Sequence, residues 1–231
     1  MKPEIPFLPE NATAQQILRA GIEAAGGPVS LACSFSLEDI VIIDLAHEAG
    51  LGLGVFALDT GRLNEETYEV ADALVERYRL KIDWYFPKHQ QIEQLAQAEG
   101  LFSFRESLHK RHACCSVRKV EPLSRALKGL AGWVTGMRRD QGVTRSDLKA
   151  IERDDLNGGI LKINPLIDWS EEQLLNYILE HRLPKNRLYS QGYRSIGCAP
   201  CTRAVEPGED ARAGRWWWEN AEHKACGLHR R

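Results

Sequence analysis

Along the first half of the chain, short apolar runs alternate with stretches of helical periodicity, and that order constrains the fold more than any single residue does. Val29 to Ser34, Leu53 to Leu58 and Ile82 to Phe86 read as strands, while Leu37 to His47 and Glu65 to Tyr78 between them read as helices. Ala14 to Ala25 is a further helix, entered through Asn11 or Thr13 and closed by Gly26-Gly27. Gly132 to Thr135 and Ile160 to Ile163 add short strands, and Ser170-Glu171-Glu172-Gln173 is a capping-box pattern opening a helix to about His181. Strands alternating with helices imply right-handed crossovers, and these build an α/β fold with a mainly parallel sheet covered on both faces. Periodicity fades after Leu183-Pro184, and Pro207-Gly208 sets off a tail rich in arginine and tryptophan. The expected division is a body of residues 1–206 and a tail of residues 207–231.

Composition enters through what it excludes. A formal net charge of −2 gives no ground for a nucleic-acid partner or an anionic membrane surface. No apolar stretch is long enough to span a bilayer, and Met1 to Glu10 has no apolar core of a secretory signal. The expected location is the cytoplasm, where thiols stay reduced, so the six cysteines read as ligands or reagents and not as disulfides.

In doubly wound sheets, ligands bind beyond the carboxyl ends of the strands. Two unusual loops are expected there. Ser34-Phe35-Ser36-Leu37-Glu38-Asp39 runs from a strand into a helix, where small hydroxyl residues let the backbone approach a ligand and a helix N-terminus offers N–H groups to a phosphate. The same residues also suit an ordinary N-cap, with Ser36 capping and two acids complementing the dipole. Leu58-Asp59-Thr60-Gly61-Arg62-Leu63 ends the next strand as a polar turn that suits an adenosine, a phosphate or a tight connection.

Cysteine spacing says more. Cys114-Cys115 are adjacent, and Cys198-Ala199-Pro200-Cys201 is a CxxC far downstream. Two close pairs suit a four-thiolate site, zinc or iron–sulfur. Adjacent cysteines point in different directions on a regular backbone, which favours the separated corners of a cubane over one small ion. A redox CxxC of thioredoxin type is the other reading of Cys198 and Cys201, and it leaves Cys114-Cys115 unexplained. Cys33, inside an apolar strand, reads as an inert core residue. Cys226 lies among His223, Lys224 and His229, cations that favour a reactive thiolate, although a leftover surface cysteine is the other reading. Arg118 and Lys119 follow the cysteine pair, Arg138, Arg139 and Arg145 surround Thr135 to Gln141, and Arg212 and Arg215 precede Trp216-Trp217-Trp218. Arginines near ligand-bearing loops suggest a small, multiply charged anion, although each taken singly also suits a surface ion pair. The tryptophans suit either stacking on a base or pinning the tail to the body.

Taken together, these residues resemble the assimilatory sulfonucleotide reductases, specifically the cluster-containing adenylyl-sulfate reductases that depend on thioredoxin. The resemblance runs from about Val29 to His229. It rests on the loop ending Glu38-Asp39, the Leu58–Leu63 turn, Cys114-Cys115 with Arg118-Lys119, the Thr135–Gln141 run, Cys198-Ala199-Pro200-Cys201 and Cys226-Gly227-Leu228-His229. It implies a Rossmann-like parallel sheet of the adenine-nucleotide alpha-hydrolase-like type with a mobile C-terminal tail. By this likeness Cys114, Cys115, Cys198 and Cys201 hold a [4Fe–4S] cluster, and Cys226 is the nucleophile. Ser34, Phe35 and Ser36 line the loop under the phosphosulfate, and Leu58, Thr60 and Gly61 frame the adenosine. Lys119, Arg145, Arg212, Arg215 and His229 surround the sulfate, with Arg138 among the substrate-binding cations. Leu37 departs from the small residue that many relatives carry there. The implied reaction reduces adenosine 5′-phosphosulfate (APS) to sulfite and AMP through a cysteine S-sulfonate, with reduced thioredoxin or glutaredoxin as electron donor. A homo-oligomer is compatible with these features.

Three other readings stand beside it. A reductase of the 3′-phosphorylated substrate (PAPS) shares the fold and terminal cysteine but typically lacks both cysteine pairs, and an enzyme acting on both substrates is the variant of that reading. A tRNA-thiolating enzyme would need a Ser-Gly-Gly-type ATP loop and a basic surface, where this chain has Ser-Phe-Ser and a net charge of −2. A zinc-binding interaction module would leave Cys226 without a task.

Overall fold

The computed structural model describes residues 3–141 and 147–220 of the 231. Its elements are α1 (Ala14–Ala25), β1 (Val29–Cys33), α2 (Leu37–Glu48), β2 (Gly54–Leu58), α3 (Glu65–Tyr78), β3 (Ile82–Tyr85), α4 (His89–Glu99), α5 (Leu108–Cys115), α6 (Glu121–Leu127), β4 (Gly132–Val134), β5 (Ile151–Asp154), β6 (Ile160–Ile163) and α7 (Glu171–Glu180). The strands form one sheet in the order β3-β2-β1-β4-β6-β5. β1 is parallel to β2 and β4, β4 is parallel to β6, and β5 runs antiparallel to β6. Chain order therefore reverses between β1 and β4, the switch point at which such sheets bind ligands. Among the described residues, no helix is long and apolar enough to cross a membrane.

Local sequence explains the element ends. Thr13 caps α1 in a reciprocal box with Gln16, and Gly26 closes it at φ 62°. Ser170 and Gln173 make the same box at α7. α2 is buried on all sides from Leu37 to Ala46, which matches its lack of a polar face. Inside it the Asp44 carboxylate accepts hydrogen bonds from the Tyr78 and Tyr177 hydroxyls, at 2.6 and 2.8 Å, and so ties α2 to α3 and α7.

Two compact units divide the described chain. The first comprises Met1–Ala57, Val70–Asp83 and Leu127–Lys185, and the second Leu58–Glu69, Trp84–Ala126 and Asn186–Arg231. The first holds most of the sheet with α1, α2 and α7. The second holds α4, α5, the turn after β2 and the CxxC segment, around a core of Phe104, Cys114, Cys198, Cys201 and Trp216. Helices α4 to α6 and strand β5 go beyond the elements expected from periodicity. The reason is physical. α4 has no buried residue, α5 reads Leu-His-Lys-Arg-His-Ala-Cys-Cys, and β5 is a four-residue strand with three charged residues half-buried or exposed.

Candidate active site

At the switch point of the first unit, the chain leaves β1 through Ser34, Phe35 and Ser36. Asp39, buried in the first turn of α2, folds this loop onto the helix. Its Oδ2 accepts from Ser34 N at 2.7 Å, Ser34 Oγ at 2.8 Å and Ser36 N at 3.3 Å. Phe35 is thereby held, buried, at φ 62°, a left-handed conformation that costs a bulky residue about 1–3 kcal/mol. The N–H groups of Ser34 and Ser36, residues that the resemblance places under the phosphosulfate, are thus committed to Asp39.

Burial pushes the Asp39 carboxyl from 3.8 up to about 6, against the lowering effect of its bonds from Ser34. The folded state therefore binds more protons than the unfolded one between those values, and Asp39 makes stability fall as pH rises from about 4 to about 6. Asp39→Asn should remove this slope. The stability difference between parent and variant should drop by up to about 3 kcal/mol across that window, as read by urea unfolding at pH 4, 5, 6 and 7. A constant difference would show that Asp39 does not titrate there.

The segment after β4 closes on the same helix end. Gly136 lies so near α2 that an added Cβ would sit 2.6 Å from Glu38 Cβ and 2.9 Å from Asp39 Oδ1. Arg138, expected among the substrate cations, is buried and engaged: Nε pairs with Glu38 at 3.1 Å, and Nη1 reaches Asp140 at 3.2 Å and the Trp169 carbonyl at 2.9 Å. Gln141 donates to the same Glu38 oxygen at 2.8 Å. Arg138 thus stands in the wall of this region. Cys33 is buried, and burial, with Asp39 adding to it, raises its thiol well above the ordinary value, which fits an inert core role.

The second unit gathers the four cysteines of the two pairs around one small cavity, also lined by Arg62, Arg118, Lys119, Arg215 and Trp216. Cys114 and Cys115 end α5, and a π-helical turn, Ser116–Val120, follows at once, with Glu121 N donating to Ser116 O. Such turns recur at functional sites. Here Cys114, Cys115, Arg118 and Lys119 all face the cavity. From the other side comes the Cys198–Cys201 turn, fastened by Ala199 N to Arg62 O at 2.8 Å. Thr60 and Gly61, expected at the adenosine, lie at this cavity's edge. The Thr60 hydroxyl is 3.2 Å from Cys198 Sγ, and its carbonyl accepts from Arg118 Nη1 at 2.6 Å. Leu58 is half-buried at the end of β2.

The thiols differ in acidity. Burial raises Cys201 to about 12, with Cys198 adding to it, and raises Cys114 against the pull of Arg118 and Arg62. At Cys198 burial also raises the thiol, but Lys119, the Thr60 hydroxyl, Arg215 and Arg118 together outweigh it and hold it below the ordinary value. Arg215 is buried, donating to Ser195 Oγ and the Ile196 carbonyl at 3.3 and 3.2 Å. Gly197 makes room for it, since a Cβ there would fall 2.4 Å from Arg215 Nη2. Arg62 Nη1, Arg118 Nε and Arg215 Nε are buried without a hydrogen-bond partner. Arg212 is half-buried in the segment leading to Arg215. Arg145, Cys226 and His229 lie outside the described residues. The sequence marks Arg62 only as part of the polar turn after β2, not as a neighbour of the cysteines, and does not mark Arg111. Arg111 precedes Cys114 by three residues, a helical spacing that places both on one face and was the available signal.

Comparison with known proteins fits this geometry. The sequence matches the phosphoadenosine phosphosulfate reductase domain over residues 28–204. It is 50% identical to the adenosine 5′-phosphosulfate reductase of Allochromatium vinosum over 203 residues, 88% of this chain and 79% of that one. To the enzyme of the same name from Burkholderia cepacia it is 46% identical, covering 87% and 80%. Among solved structures, a phosphoadenylyl-sulfate reductase of Candida auris in complex with phosphate matches with a TM-score of 0.71 at 28% identity, over 84% of this chain and 91% of that one. Yeast FAD synthetase, at 16% identity and a TM-score of 0.57 over 77% and 58%, shares the fold alone.

Proposed function

The chain belongs to the phosphoadenosine phosphosulfate reductase family, and from that premise we propose that it reduces APS to sulfite and AMP, with Cys226 as nucleophile and a [4Fe–4S] cluster held by Cys114, Cys115, Cys198 and Cys201. The choice of APS over PAPS is supported by the names of relatives at 46 and 50% identity and by the presence of both cysteine pairs. The observation that carries the cluster is the cavity. Its four thiols surround one space, yet no three of them come within 4.8 Å of one another among the described residues. Tetrahedral zinc, with Zn–S near 2.3 Å, needs sulfurs about 3.8 Å apart, whereas a cubane spreads them. The three unpartnered arginine N–H groups in the same wall call for acceptors, which thiolates and sulfides provide. When bound, the cluster supplies a compact anionic centre that holds these cations in place.

The reaction balances on this chain's residues and two substrates. The Cys226 thiolate attacks the sulfonyl sulfur of APS, an S–S bond forms, the S–O bond to phosphate breaks, and AMP leaves. Lys119, Arg145, Arg212, Arg215 and His229 are the cations that neutralise the sulfate oxygens and the leaving phosphate. A thiolate of reduced thioredoxin then attacks Cys226 Sγ and expels sulfite. Its second thiol resolves the mixed disulfide, so the dithiol provides both electrons. The test is a single turnover without oxygen or thioredoxin. One AMP per active site should appear, with one sulfonate on the peptide bearing Cys226, and added reduced thioredoxin should discharge sulfite. An adduct mapped to Cys33, or equal catalytic efficiency with PAPS, would overturn the corresponding part of the reading.

A further inference from the structure

The segment that runs on from the cavity wall is bound back to α5 by a pair for which the chemistry above has no use. Arg111 Nε donates to Glu219 Oε1 at 2.6 Å, with side chains only 0% and 8% exposed. The Arg111 guanidinium lies 4.4 Å from the centroid of Trp216, and that of Arg215 lies 4.8 Å from the same ring. The main chain is fastened at the same place: Trp216 N donates to Cys201 O at 3.1 Å, and Glu219 N to Trp216 O at 2.8 Å. Residues 216–219 thus rest on both cysteine-bearing segments. A buried ion pair must overcome the desolvation of both charges, so its main effect is to fix a geometry. The second Glu219 oxygen, buried without a partner, adds to that cost and argues further against a purely stabilising role.

We propose that the Arg111–Glu219 pair is a positioning device for the reaction. It fixes the point beside the cysteine cavity from which the chain continues to Cys226, seven residues further along the sequence. Arg111 is a positioning residue and touches no reacting atom. The inference rests on the reading of Cys226 as nucleophile, and wild-type enzyme tests that reading separately. If the parent forms no Cys226 sulfonate, the reading itself fails. If it does, the variants test the pair.

Glu219→Gln should keep the parent's iron content and bind APS within about twofold, and in both Glu219→Gln and Arg111→Met Cys226 sulfonation should slow by about ten- to a hundredfold. Amide hydrogen exchange of residues 216–219 should accelerate at least about tenfold. Arg111→Lys, which retains the charge facing Glu219 but not the flat stacking on Trp216, should recover part of the rate. The double variant should be no slower than the worse single one. Parent-like sulfonation in both single variants would overturn the proposal. So would loss of iron in proportion to rate in both, since the pair would then serve the metal site and not the segment.

Discussion

Cys226→Ser is expected to stop sulfite production, with a loss of more than about 10⁴-fold, while iron content and APS affinity stay near those of the parent. The size of the effect follows from electron accounting. A serine oxygen attacking APS would leave a sulfate ester whose sulfur is still fully oxidised. Thioredoxin releases sulfite only by attacking a divalent sulfur that carries the sulfonate, and an ester oxygen cannot take that part. No slow version of the same route therefore remains. Single-turnover AMP release, peptide mass and sulfite yield all read the outcome. Undiminished sulfite formation by the variant would remove Cys226 from the mechanism.

Cys198→Ser is expected to lose most of the iron and the associated visible absorbance, and to lower the unfolding temperature by several degrees. Cys198 is the thiol on which the cavity's electrostatics converge, from Lys119, Thr60, Arg215 and Arg118. It also belongs to the core of Phe104, Cys114, Cys201 and Trp216. Binding free energy of a metal site formed only on folding counts toward folding stability, so losing a ligand costs both. Arg62, Arg118 and Arg215 would then line one cavity without an anionic counterpart. Removing the metal from the parent with a chelator and oxidant should give a similar decrease in melting temperature, because the same charges are left uncompensated. A variant with full iron and an unchanged melting curve would show that Cys198 is no ligand.

What the sequence reveals and what it hides follow from range. β2 is legible because Val55-Phe56-Ala57 is buried on both faces and reads as a continuous apolar run. α1 and α7 are legible through caps that act over three residues. The cysteine pairs are legible through chemistry, since few roles need two close pairs of reduced thiols. Thr60 at Cys198 is not, because its partner lies 138 residues away and no local pattern announces the contact. The same holds for α4 and α5, whose polar surfaces acquire meaning only against the CxxC segment. Ser34 to Ser36 show a subtler gap. The sequence marks a loop fit for an anion, and only the fold shows that Asp39 takes the Ser34 and Ser36 N–H groups first.

The π-helical turn after Cys115 bears on how related genes should be aligned. A turn that spans five residues takes up one amino acid more than an α-helical turn, and it does so without rotating the face that the following helix presents. A codon lost between positions 116 and 120 can therefore be absorbed by return to plain α-helix, leaving α5 and α6 in step. What it cannot leave in step is the relation of Arg118 and Lys119 to the cysteine pair. Loss of one residue in this stretch is thus expected to be nearly silent to folding and, with Lys119 in the role proposed for it, visible to catalysis, which makes a one-residue gap here a marker of changed chemistry and not of changed architecture.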